Sequence, residues 1–168
     1  MPTGDFEGFV LGTNLSGTDN ADGTITIDAT GGSSGTELAY TQFTSSVTIN
    51  NGTEAGANTI VTASAITADG STPIYVEFFA PLVRNTNISA VTVYLFEDGT
   101  SLGPWAAADI TAANSGYPIY CGLRRVPAAG SRTYSVRANR GAGTGTVYGG
   151  AGGTGVTQPG FIRICEVA

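Results

Sequence analysis

The 168 residues carry a formal net charge of −6, and charged side chains make up only 12 % of them, against roughly 25 % in ordinary soluble domains. There is no His and no Lys, which removes the commonest general base, the commonest metal ligand and the Schiff-base amine. The acidic balance argues against a nucleic-acid footprint, and no stretch approaches the roughly 18 apolar residues of a membrane span.

Helix signals are nearly absent along the chain. Met1-Pro2-Thr3-Gly4-Asp5-Phe6-Glu7 lacks a positive n-region and a long apolar run, so no secretion signal is expected. Residues 1–36 are Gly-, Thr- and Asp-rich and hold one weak hairpin, Phe9–Leu15 followed by Thr24–Asp28 after the Asp22-Gly23 turn. Gly31-Gly32-Ser33-Ser34-Gly35 then reads as a flexible linker. Beyond it, β-branched and aromatic runs predict strands over Leu38–Ile49, Thr59–Thr67, Ile74–Arg84, Ala90–Glu97, Ile119–Val126, Arg132–Arg140, Gly145–Tyr148 and Gly160–Val167. Turn dipeptides at Asn51-Gly52, Asp69-Gly70 and Asp98-Gly99 punctuate them. Trp105–Asn114 is the one stretch able to turn helically, and Gly141–Gly155 is a glycine-rich loop around a short strand at Val147 and Tyr148. The organisation predicted is an N-terminal arm and hinge over 1–36 and an all-β sandwich over 37–168.

Periodicity shows which strands are buried on one side and which on two. In Arg132–Arg140, Tyr134, Val136 and Ala138 share one face, and Thr133, Ser135, Arg137 and Asn139 the other. Both faces are apolar in Ala90–Glu97 and largely so in Ile74–Val83. One of those faces meets the opposite sheet, and the other is expected to meet a partner subunit. Tyr75, Phe79, Tyr94 and Phe96 are the candidate interface residues.

Charge divides the chain along its length. Residues 1–83 hold nine carboxylates and no basic residue, whereas residues 84–168 hold seven Arg and four carboxylates, so the halves are −9 and +3. Two electrically different parts suit a molecule that packs against neighbours in a fixed order. Five arginines between 124 and 140 read as interface or sheet-edge residues.

The motifs that suggest chemistry lack their context. Gly31–Gly35 fits the G-x-S-x-G elbow, but a chain without His has nothing to take the serine proton. Gly150–Gly155 fits G-x-G-x-x-G, yet no helix follows it, since Pro159 and an Ile-rich strand come next. Thr18–Gly23 resembles the start of a calcium loop but lacks the acid at its first position and has Ala29 at its twelfth. Glu77, Glu97, Asp98 and Asp109 are the carboxylates available for hydrolytic work. No catalysis, cofactor or bound metal is expected. Cys121 and Cys165 read as free thiols, with a disulfide open to them if their strands are neighbours. Trp105 and Tyr117, beside Pro104 and Pro118, could form a sugar-binding platform.

The run Tyr117–Gly149, with its strand Ser131-Arg132-Thr133-Tyr134-Ser135-Val136-Arg137-Ala138-Asn139, and the closing Phe161-Ile162-Arg163-Ile164-Cys165-Glu166-Val167 resemble the C-terminal part of jelly-roll proteins of tailed bacteriophages, similar to the trimeric TNF/C1q-type sandwich. The resemblance extends over residues 38–168. It implies a virion structural protein on the capsid exterior, made in the host bacterial cytoplasm: a homotrimeric capsid decoration (cement) protein whose partner is the major capsid protein. Asp5, Phe6, Glu7, Phe9, Asp19 and Asp22 are then the candidate capsid-contacting residues of the arm. The alternative is a tail or fibre protein with a receptor- or glycan-binding head. Neither nucleic acid nor membrane is an expected partner.

Overall fold

Alternating side chains set the strands, and the order in which those strands pair sets the fold. The computed structural model describes residues 15–19, 25–29 and 35–167, and the chain divides into two units, Met1–Gly35 and Thr36–Val167. In the first unit, β1 (Leu15–Asp19) pairs antiparallel with β2 (Ile25–Ala29), Gly17 standing opposite Ile27. Of the expected arm contacts, Asp19 ends β1, while Asp5, Phe6, Glu7, Phe9 and Asp22 lie outside the described residues, as does the 31–34 part of the linker.

The second unit runs β3 (Glu37–Phe43), β4 (Val47–Ile49), β5 (Asn58–Thr62), β6 (Ile66–Ala68), β7 (Ile74–Asn85), β8 (Val91–Glu97), β9 (Thr100–Ala108), β10 (Gly116–Arg125), β11 (Gly130–Arg132), β12 (Tyr134–Arg140), β13 (Gly145–Tyr148) and β14 (Gly160–Glu166). One sheet has the order β3–β14–β7–β10, and the facing sheet has β5–β12–β8–β9. β7 is long enough to hold β14 along residues 74–79 and β13 along 82–85 on the same side, with β4 beyond β13. β6 and β11 form a small accessory ribbon.

The first of the eight main strands pairs with the last, and the second with the last but one. Every pairing is antiparallel. This is a jelly roll, so the molecule is an all-β sandwich as its alternation predicts.

The core lies between the sheets. Val76, Phe78, Ile162 and Ile164 come from the first sheet, and Val93, Leu95, Tyr134 and Val136 from the second. Phe78 stacks on Phe43 at 6.1 Å. On β7 the inward set changes from even positions (Ile74, Val76, Phe78, Ala80) to odd ones (Val83, Asn85). The shift coincides with a bulge against β10 between Tyr117 and Ile119, where Pro81 and Pro118 have no N–H to give the ladder.

The Asp98-Gly99 expectation holds in detail. Two residues with φ of 49° and 81° join β8 to β9, the geometry of a tight I′-type hairpin. The helical expectation for Trp105–Asn114 is overturned. Trp105–Ala108 completes β9, hydrogen-bonded to β8, and its proline lies on an edge strand that also carries register shifts.

Candidate functional site

The outer face of the β3–β14–β7–β10 sheet is a grid of side chains fixed by register. One transverse row reads Gln42, Phe161, Phe79, Tyr120, and the next reads Tyr40, Arg163, Glu77, Gly122. The aromatic rings touch in sequence. Tyr40 and Phe161 are 5.4 Å apart, Phe161 and Phe79 5.7 Å, and Gln42 donates to the Tyr40 hydroxyl at 2.9 Å. Tyr75 completes the face by lying across Gly122, where a β-carbon would collide with the phenol. Further along β7, Arg84 sits 5.5 Å from the Tyr148 ring centre.

At the centre of this face is a carboxylate. Glu77 is only 7 % exposed although it points away from the core. Its Oε1 accepts from the Tyr120 hydroxyl at 2.5 Å, and its Oε2 accepts from Arg163 Nε at 2.6 Å, with Arg163 also forming an ion pair to it. The hydrogen bond to Glu77 is the main cause raising the Tyr120 phenol above its ordinary pKa, and it also raises that of Arg163. The pair neutralises itself, so a second surface could cover the face without leaving a lone charge.

Exposed apolar residues continue past the β10 edge of this sheet onto β9 of the facing one. Tyr117, Tyr120 and Leu123 of β10, Val126 just after it and Leu102 of β9 are all exposed, Tyr120 to 61 %. Between β9 and β10 a pocket of about 110 Å³ is lined by Leu95, Leu102, Gly103, Pro104, Trp105 and Leu123. The β9 irregularity opens it, Gly103 having a φ of 99°. Its side chains are aliphatic apart from Trp105, whose Nε1 is buried without a partner. Tyr117 does not line this pocket; its hydroxyl lies 3.2 Å from that of Thr111.

The four expected interface residues fall on two different outer faces. Tyr75 and Phe79 belong to the aromatic grid, whereas Tyr94 and Phe96 alternate with the core residues Val93 and Leu95 on the other sheet. Both are buried within the single chain, and the Arg137 guanidinium lies over Phe96 at 4.1 Å. Tyr40, Phe161 and Tyr120 share the grid with Tyr75 and Phe79. The outward half of the alternation in Leu38–Ile49, Gly160–Val167 and Ile119–Val126 was the signal that could have found them.

Glu77, Glu97 and Asp98 are engaged in structural contacts. Glu97 accepts from the Tyr134 hydroxyl at 2.6 Å and from Arg125 at 2.7 Å, which ties β10 to β8 and β12 at one end of the sandwich. Burial first, and then the bond to Glu97, push the Tyr134 phenol well above its usual range. Asp98 takes Thr133 N and Arg132, both at 2.8 Å, and Asp109 is exposed. Among the described residues no cluster of three His, Cys, Asp or Glu side chains could hold a metal ion, and no helix is long and apolar enough to cross a membrane.

Cys121 and Cys165 are free. They stand on opposite sides of β7, paired with Phe78 and Tyr75, so at least two strand spacings (about 9.6 Å) separate them, beyond the reach of a disulfide. Burial pushes the Cys121 thiol up to about 12 and also raises that of Cys165.

No protein-family model matches the chain, and no curated protein matches its sequence. Solved structures similar to it include the C-terminal domain of EclA, described as a sugar-binding protein, at 14 % identity and a TM-score of 0.32 over 73 % of this chain and 74 % of that one. The Eiger TNF of S. frugiperda is similar at 13 % identity and a TM-score of 0.40 over 79 % of this chain and 93 % of that one. The jelly roll itself is defined by the strand order.

Proposed function

We propose that this chain is a virion structural protein, a capsid decoration protein that assembles as a homotrimer and binds the major capsid protein of a tailed bacteriophage. The observation that carries the assembly half of this reading is the aromatic grid of Tyr40, Phe161, Phe79, Tyr75 and Tyr120 around the Glu77–Arg163 pair. A jelly roll with a filled core does not need a second apolar face to fold, and apolar rings gathered on an outward face, Tyr40 and Tyr120 exposed and Tyr75, Phe79 and Phe161 half-buried, support an interaction site there. The low charge supports the same reading, since a surface largely covered by association needs few charges for solubility. The capsid half rests on the phage-type resemblance of residues 38–168 and on the acid-rich segment before them, five of whose residues (Asp5, Glu7, Asp19, Asp22, Asp28) are carboxylates.

Sedimentation equilibrium of the full chain at micromolar concentration should give three times the 17.0 kDa chain mass. Added to phage heads that lack their decoration protein, it should bind in trimer multiples and raise their melting temperature. Deleting residues 1–36 should leave a folded trimer that no longer binds, and raising salt should weaken attachment of the full chain if the acidic segment seeks basic capsid surface. A monomer that binds immobilised glycans in place of capsids would replace this reading with that of a fibre head.

A further inference from the structure

One transverse row of the aromatic sheet has opposite charges at its two ends. Register runs Glu37 on β3, Cys165 on β14, Tyr75 on β7 and Arg124 on β10. Both end residues are exposed, and β3 and β10 are the edge strands of this sheet at that level. Three strand spacings, about 14 Å, separate them, so they cannot pair within one chain. The acid comes from the half of the sequence that has no basic residue, and the arginine from the half that holds all seven.

We infer that neighbouring copies meet head to tail, the β10 edge of one against the β3 side of the next, with Arg124 of one copy paired to Glu37 of the following copy. This rests on the homotrimer reading and names the pair that fixes the order of packing. The occupant is a second copy because the two edges complement each other in charge and not themselves. A two-fold contact between like edges would offer Arg124 no acid on β10 and Glu37 no base on β3, whereas a rotational ring uses one edge of each kind per contact. The apolar residues that need cover, Tyr117, Tyr120 and Leu123, lie on the same strand as Arg124. Hydrophobic burial would supply the affinity, and the ion pair at its rim the direction of packing.

A charge-swap cycle on the full chain tests this by sedimentation at low and at physiological salt. Arg124→Glu and Glu37→Arg should each weaken association, by about tenfold per contact at low salt and less at high salt. The double variant Arg124→Glu/Glu37→Arg should return to within about threefold of the wild type. Both sites are exposed, so circular dichroism should show an unchanged fold for all three variants. Single reversals without effect, or a double variant as weak as the two losses combined, would overturn the pairing and leave the trimer standing. A wild-type chain that stays monomeric at every concentration would overturn the trimer, and the pairing with it.

Discussion

Glu77 and Arg163 stand opposite each other on β7 and β14, the carboxylate accepting from Arg163 Nε at 2.6 Å in the middle of an otherwise aromatic sheet face. Removing only the acid strands the guanidinium and the Tyr120 hydroxyl together. Arg163 keeps 43 % of its side chain exposed, which screens part of the loss. Glu77→Ala should therefore cost about 1–2 kcal/mol in urea denaturation, below the 3–5 kcal/mol of a fully buried pair. Glu77→Leu with Arg163→Leu should recover most of it, because two apolar groups suit the surrounding rings. A double variant no more stable than Glu77→Ala would count against self-neutralisation as the reason for the pair.

Asn85 is fully buried at the end of β7, and it joins two loops. Its Nδ2 donates to the carbonyls of Ser89 and Ala142, each at 3.0 Å, while its Oδ1 accepts from Asn87 N at 3.2 Å. Asn85→Ala leaves these groups without partners and should cost about 2–3 kcal/mol. Asn85→Asp should be worse at neutral pH, since it points a carboxylate oxygen at two carbonyl oxygens. Its deficit should shrink in acid as the carboxyl takes up a proton. Denaturation midpoints of both variants across pH would separate lost bonding from repulsion.

Most of the sandwich was legible from period-two alternation, since Ile74–Arg84, Ala90–Glu97 and Gly145–Tyr148 lie within a residue of the observed strands. Tertiary partners decided the rest. Leu38–Ile49 reads as one strand but breaks at Thr44–Ser46, because β3 pairs β14 while β4 pairs β13. Thr59–Thr67 divides for the same reason, its halves pairing with β12 and β11. β9 was hidden by Gly103, Pro104 and three alanines, which carry no alternation to read. The aromatic face was half legible. Alternation identifies doubly apolar strands, but which rings share a face depends on which sheet each strand joins, and that separated Tyr75 and Phe79 from Tyr94 and Phe96.

Asp98 makes the acid stability of the β8–β9 corner testable. The Thr133 N–H first, and then the Arg132 guanidinium, hold its carboxyl below the ordinary value of 3.8. A folded-state pKa below the unfolded one stabilises the native state above 3.8, and that contribution disappears as the pH falls toward the lowered value. Asn at this position tolerates the positive φ and keeps an acceptor for Thr133, but loses the charge opposite Arg132. Asp98→Asn should therefore unfold at lower denaturant than the wild type near neutrality, and the two curves should converge below 3.8. A gap that stays constant through that range would mean that the charge contributes nothing.

Trp105 separates the packing of its ring from the chemistry of its N–H. The ring centre lies 6.4 Å from that of Phe78, and the ring lines the β9–β10 pocket, yet Nε1 is buried with no acceptor. An unpaired buried donor costs about 1–3 kcal/mol, which a phenyl ring does not incur. Phenylalanine loses some contact area, so the two effects oppose each other, and Trp105→Phe should fall within about 1 kcal/mol of the wild type. Trp105→Ala removes the ring and enlarges the pocket, for a loss of about 3 kcal/mol. A Trp105→Phe loss of about 2 kcal/mol or more would mean that the indole N–H is satisfied. Urea denaturation of the two variants, followed by circular dichroism, would show which holds.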